Sequence, residues 1–227
     1  MKSLTILMVF IITATSCSTG QKAKLSGEEI WNKYLDALGK KETVLGIKTL
    51  STTCVFDSKL GVTKSKIMNK FPDKLYCEMR FPNNSSVIYI IKGDKGIVKS
   101  QDGVRPLTEK EISEYNQMTL IHPEMHYKQL GYKIELMGDK MIENKAYYNL
   151  KIKTDLKTMY YLINKENFQL FRIVYDNSVM EVTETILIDG LRLIKASKTI
   201  INSDTLLQHD MNYTLNPVID DNIFNIK

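Results

Sequence analysis

A chain of 227 residues with 43% hydrophobic and 25% charged residues, 5 Pro and 11 Gly falls in the ordinary globular range, which excludes a wholly disordered, collagen-like or multi-span membrane protein. Its formal charge of +5 is spread along the chain, without the clustered Lys/Arg that nucleic-acid binding needs. The length suits one well-buried core, and nothing in the composition divides it into two.

Residues 1–16 read as an export leader. Lys2 supplies a positive start, residues 4–12 (LTILMVFII) form an apolar run with one hydroxyl, and Thr13, Ala14, Thr15 and Ser16 are small; this is the order of a bacterial secretory signal. As a helix the apolar run reaches only about 14 Å, well short of a hydrocarbon core of roughly 30 Å. Cys17 follows at once, and Ala-Thr-Ser-Cys resembles the lipobox of bacterial lipoproteins, whose thiol receives a diacylglycerol and whose signal is cut just before the cysteine. Ala14 stands where such motifs usually carry Leu. The alternative is a secretory signal cut near Ala14 or Ser16 with an incidental cysteine. The expected division is a lipoprotein signal peptide over 1–16, a polar tether over 17–25 and a single folded domain over 26–227.

The first ordered element is predicted over residues 27–38. Ser26 and Glu29 are spaced as a capping box, Leu25 and Ile30 as a hydrophobic staple across it. Ile30, Trp31, Tyr34, Leu35 and Leu38 form an apolar stripe at helical spacing, and Gly39 suits the stop. From Ile47 the period changes to two: Leu75, Cys77, Met79 and Phe81 alternate with Lys74, Tyr76, Glu78 and Arg80, giving one apolar and one wet strand face. Recurrent turn signals predict strands near 47–56, 62–71, 74–81, 86–92, 96–101, 132–138, 145–153, 158–164, 168–175, 179–188, 191–201 and 205–215. A second capping box (Thr108 with Glu111) and staple (Leu107 with Ile112) open a helix expected to run to about Leu120. A meander of about a dozen strands cannot stay flat and must curl toward a barrel or half-barrel.

Chemistry-bearing residues are sparse. His122-Pro123-Glu124-Met125-His126 approaches the His-Glu-x-x-His pattern of zinc proteases, but the Glu is displaced by one position, and Pro123 should leave His122 extended, outside any helix. The expectation is a loop rather than a metal site; the alternative, a metal-dependent hydrolase using His122, Glu124 and His126, predicts bound zinc. Leu207, His209, Met211, Tyr213 and Leu215 fall on one face of the last strand by simple alternation, which makes His209 either a hydrogen-bonded core residue or a polar contact for a bound headgroup. Cys54 and Cys77 should lie two strands apart, about 10 Å, beyond bridging range. There is no Gly-x-Ser-x-Gly, phosphate loop or dinucleotide fingerprint, so the expectation is no enzyme, no cofactor and no metal. Met79, Phe81, Tyr89, Tyr148, Tyr161, Phe171, Met211 and Tyr213 recur on strand faces; such a surface could hold acyl chains, or could only pack against the helices.

Several segments carry a family resemblance. The run Trp31 to Gly39, the lead Gly46-Ile47-Lys48-Thr49-Leu50, and Phe71-Pro72-Asp73-Lys74-Leu75-Tyr76 resemble LolA-like and LppX-like lipoprotein carriers. So do Leu107-Thr108-Glu109-Lys110-Glu111, Leu130-Gly131-Tyr132 and the closing residues 217–224. The resemblance implies a mainly β fold with α: an unclosed antiparallel half-barrel of about 11–12 strands, with two or three helices packed in or over its concave face. It further implies carriage of lipid or lipoprotein without cofactor or catalysis. Anchoring through Cys17 is more like the LolB receptor or the LppX-type lipoproteins than the soluble LolA carrier. The resulting expectation is a monomeric lipoprotein facing the periplasm, with Ser18 and Thr19 favouring the outer over the inner membrane. It would bind a hydrophobic ligand or acylated protein through Met79, Phe81, Tyr89, Tyr148, His209, Met211 and Tyr213. The alternative is a structural or assembly lipoprotein acting by protein contact.

Overall fold

The computed structural model describes residues 24–226; the leader, Cys17 and the tether as far as residue 23 lie outside them. One antiparallel sheet dominates. Its strands are β1 (Thr49–Ser58), β2 (Gly61–Lys70), β3 (Lys74–Arg80), β4 (Ser86–Lys92), β5 (Lys95–Ser100), β6 (Gly103–Pro106), β7 (Lys133–Ile142), β8 (Lys145–Lys153), β9 (Thr158–Asn164), β10 (Leu170–Tyr175), β11 (Ser178–Ile188), β12 (Leu191–Ile201) and β13 (Asp204–Leu215). The order β6-β5-β4-β3-β2-β1-β13-β12-β11-β10-β9-β8-β7 leaves β6 and β7 as free edges, so the half-barrel is unclosed. Two meanders meet where β1 pairs with β13, from Leu50 opposite Leu215 to Asp57 opposite Leu207.

Among the described residues three α-helices lie on one face: α1 (Gly27–Leu38), α2 (Lys41–Gly46) and α3 (Glu109–Asn116). Both capping boxes form. Ser26 Oγ accepts from the Glu29 amide at 3.2 Å while Glu29 accepts from the Ser26 amide at 2.7 Å, and Thr108 and Glu111 do the same at 3.2 and 2.8 Å. Helix α1 bridges the curl, because two glycines let its ends press on the sheet. A Cβ on Gly27 would stand 3.0 Å from the Leu136 amide nitrogen of β7, and one on Gly39, at φ 146°, would stand 2.8 Å from the Gly190 carbonyl between β11 and β12.

The differences from the sequence expectation have local causes. The described residues form thirteen strands rather than 11–12, because β6 is four exposed residues held by pairing with β5, too short to show a period. Helix α2 has no side-chain cap and buries only Val44, so no sequence signal marked it. Strand β7 continues to Ile142, not 138, past a bulge between Leu136 and Gly138 that resets its alternation. Helix α3 stops at Asn116, and a 3-10 turn carries the chain on to Thr119. His122 is not extended: it takes a left-handed conformation (φ 47°, ψ 70°) and leads into a 3-10 turn over Pro123–His126.

The core sits between helices and sheet in three adjoining parts. Ile30, Trp31, Tyr34 and Leu38 of α1 pack on Leu150, Ile152, Met159, Tyr161, Ile163 and Ile173. Val44 and Ile47 join Leu50, Ile121, Leu191 and Leu193 in the middle. Leu107 and Ile112, the staple before α3, pack on Leu75, Ile91 and Val98. On the opposite, outer face Phe224 of the C-terminal 3-10 turn covers Ile90 and Ile97. Among the described residues no helix is long and apolar enough to cross a membrane, which says nothing of strands.

Candidate ligand-binding face

Register identifies the inner face strand by strand. Tyr213, Thr52, Ile67, Cys77, Tyr89 and Val98 lie opposite one another across β13, β1, β2, β3, β4 and β5, on the side against which α3 packs. One rung further from the start of β1 come Cys54, Ser65, Met79 and Val87, with Met211 beside Cys54. Phe56 and Phe81 continue the same face toward the β1–β2 hairpin. Phe56, Met79, Phe81 and Met211 are half-buried and stand outside the helix-packed clusters. The helices thus cover one end of the trough and leave an apolar strip at the other.

Of the residues expected to bind ligand, Met79, Phe81 and Met211 therefore share this strip. Tyr89 borders it, with its ring 5.0 Å from Tyr115 of α3. Tyr213 is on the same face but belongs to the middle of the core, its hydroxyl donating to the Ile194 carbonyl at 2.6 Å. Tyr148 lies on β8, five strands from β13, packed 5.9 Å from Phe168 and under the Lys165 ammonium at 4.7 Å. Tyr161 is buried beneath α1, and Phe171 stacks on Tyr147, 4.7 Å away.

His209 is a correction. A bulge opposite Thr53–Val55, with Asp210 at φ 50°, shifts β13 by one residue, so His209 pairs with Val55 and not with an inner-face residue. A one-residue slip moves every following side chain to the other face. His209 and Leu207 accordingly point outward, Leu207 44% exposed, and Gln208 takes the inner position. His209 Nε2 lies 3.0 Å from Asp57 and Nδ1 3.0 Å from Asp210; these bonds raise its pKa above the usual 6.5. It is neither a core residue nor a contact inside the trough. Cys54 and Cys77 are free, buried and separated by strand β2, where Cys54 pairs with Ser65 and Cys77 with Ile67; burial raises both thiols.

The two histidines of the His-Pro-Glu-Met-His segment diverge. His126 faces the groove between α1 and α2, bonded to Gln129 at 3.2 Å. His122 lines a partly open cavity of about 130 Å³ under α1, together with Tyr34, Glu124, Met180, Val182 and Arg192. Burial lowers the His122 pKa, so the ring is neutral at pH 7. Its Nε2 is sealed from solvent without a hydrogen-bond partner among the described residues. Among the described residues no three His, Cys, Asp or Glu side chains are grouped to hold a metal ion. Sequence reasoning weighed His122 and Glu124 only against a metal motif and did not single out Arg192, Phe56 or Val87. Only strand pairing, which no local pattern encodes, places those three.

No family model and no curated protein matches the chain. Solved structures do. A DUF1329 family protein from Desulfovibrio piger superposes with a TM-score of 0.62 at 12% identity, covering 88% of this chain and 97% of that one. A LolA superfamily protein from Nitrosomonas europaea gives 0.61 at 11% identity, covering 89% and 98%. The fold is similar to that of a LolA superfamily protein. A Vibrio parahaemolyticus domain described as outer membrane lipoprotein-sorting gives 0.60 at 10% identity, covering 88% and 97%. At such identities the LolA-like architecture is what is shared, and no residue role passes with it.

Proposed function

We propose that this protein binds a lipid, a lipoprotein acyl chain or another hydrophobic ligand along the inner face of its half-barrel. It acts by carriage or sorting in the bacterial envelope rather than by catalysis, tethered through an acylated Cys17. The observation that carries this reading is the half-buried strip of Phe56, Met79, Phe81 and Met211. Monomeric proteins rarely keep contiguous apolar surface without a use, and Met with aromatics adapts to flexible chains. The lipoprotein-sorting description of one structure with this fold supports the same direction.

Native mass spectrometry of protein purified from its own envelope tests the reading. Lipid adducts are expected on the wild type and absent from Met79→Asp and Met211→Asp variants that retain the wild-type circular dichroism spectrum. A wild-type protein free of lipid under these conditions argues against it. A second reading, a structural lipoprotein working by protein contact, is favoured by the small volume left beneath α1, about 130 Å³. A crosslinked partner that survives delipidation supports that reading.

A further inference from the structure

The cavity beneath α1 is apolar for most of its lining, but beside Gln169 and Thr185 it holds three ionisable polar side chains that the strip does not use, His122, Glu124 and Arg192. His122 brings a neutral ring whose buried Nε2 accepts no hydrogen bond. Glu124 brings a carboxylate that receives a long bond, 3.4 Å, from the Tyr161 hydroxyl. Arg192 is held in place by the Ala37 carbonyl at 3.4 Å and the Thr185 hydroxyl at 3.2 Å. A buried acceptor left unpaired costs free energy until something donates to it. With one carboxylate and one guanidinium on the wall, a charged guest of either sign meets one like charge at close range in a poorly solvated site. An uncharged guest that carries both donors and acceptors meets none.

Size narrows the class further. About 130 Å³ is well below the roughly 300–1,000 Å³ of pockets that enclose a drug-sized ligand. It accommodates a group of a few heavy atoms and not an acyl chain. The cavity and the apolar strip also lie on one lateral line of the sheet. Val182 on its wall pairs with Ser197, which pairs with Gln208, which pairs with Phe56, a lateral path of about 14 Å across three strand spacings. Along it Ser197 donates to Gln208 at 3.1 Å, and Gln208 donates to the Cys54 sulfur at 3.8 Å.

We propose that the cavity is a headgroup subsite for the uncharged, hydroxyl-bearing end of an amphiphile, a glycerol-like diol, whose chain lies on the strip. Hydroxyl protons go to His122 Nε2 and Glu124, and a hydroxyl oxygen accepts from Arg192. The proposal rests on the hydrophobic-ligand reading above, and the test separates the two. Calorimetric titration of the purified protein with 1-monolauroylglycerol, laurate and dodecylamine, all below their micelle concentrations, compares three heads on one chain length. The monoacylglycerol is expected to bind about tenfold more tightly than either charged amphiphile, as one or two net hydrogen bonds allow. His122→Phe and Glu124→Gln, made separately so that one folding failure does not decide the matter, each abolish that preference while chain binding persists. Equal binding of all three heads by the wild type, or a preference that survives both variants, overturns the subsite and leaves the hydrophobic-ligand reading standing. No binding of any of the three overturns both.

Discussion

His209 and His122 lie in opposite environments, and their pH dependence should differ in sign. His209, between Asp57 and Asp210, has a folded pKa above the 6.5 of the unfolded chain, first through its bond to Asp57 and then through that to Asp210. Its stabilising contribution is complete below pH 6.5 and disappears as pH rises through the folded value. Denaturant melts between pH 5.5 and 8.5 should show that loss in the wild type and not in His209→Gln. Because the pair is more than a third exposed, raising the salt concentration should shrink the effect. His122 is lowered by burial, so the unfolded chain takes up a proton that the folded one refuses. Stability then falls as pH drops below 6.5, and His122→Phe should flatten that limb. Sequence alone could not assign either behaviour: His209 owes its place to a bulge three residues into the strand's inner run, and His122 to a left-handed turn before Pro123.

Elements show where local chemistry and tertiary contact meet. The box before α3 also recruits Arg105, whose guanidinium donates to Glu111 at 2.7 and 3.1 Å. These bonds, Arg105 foremost and then the Thr108 backbone, hold the Glu111 carboxyl down at about 2. The contribution is present above pH 4.5 and fades as pH falls toward about 2; an acid titration of Glu111→Gln should lack that component. Thr108→Ala should cost about 1 kcal/mol in urea denaturation, the usual loss of an N-cap. Strand β5 presents a different constraint at Gly96, where an added Cβ would meet Leu107 Cδ1 at 2.8 Å and the Ile90 carbonyl at 3.1 Å. The staple residue of α3 rests on the bare backbone of β5 there, so Gly96→Ala should destabilise by about 1–3 kcal/mol as overpacking does, read from the urea midpoint at constant m-value. The capping motifs were legible from four-residue patterns; the need for glycine at Gly96 was not, since its neighbour Leu107 arrives from another element.

At the scale of the whole molecule, chain ends close the structure. Asn216 accepts from the Lys48 amide at 2.7 Å, fastening the last strand to the first, and the segment after it crosses the outer face to bury Phe224 against Ile90 and Ile97. Asp221 secures that strap through Lys74 and Lys70 at 2.9 and 3.0 Å. Phe224 is 1% exposed, so Phe224→Ala should cost about 3 kcal/mol and raise binding of an apolar dye on the outer face; unchanged stability would mean the strap is dispensable. Inside, the same sheet divides its labour between a half filled by α1 and a half whose far end keeps the apolar strip.

The sequence by itself determined the elements whose rules are local: α1 with its box, staple and apolar stripe, the start of α3, and the period-two strands with their turns. A dozen strands also required curling, which set the fold class before any pairing was known. What only the tertiary structure decided was which face each residue joins and which residues meet. Bulges in β7 and β13 reverse alternation without changing composition. A free-standing helix such as α2 forms because Val44 finds Leu191 and Leu50. The cavity exists because residues from α1, the 122–124 turn and β10 to β12 converge on it. Such contacts join positions far apart in the chain, and their free energy appears only when the first and last strands of the open sheet have paired.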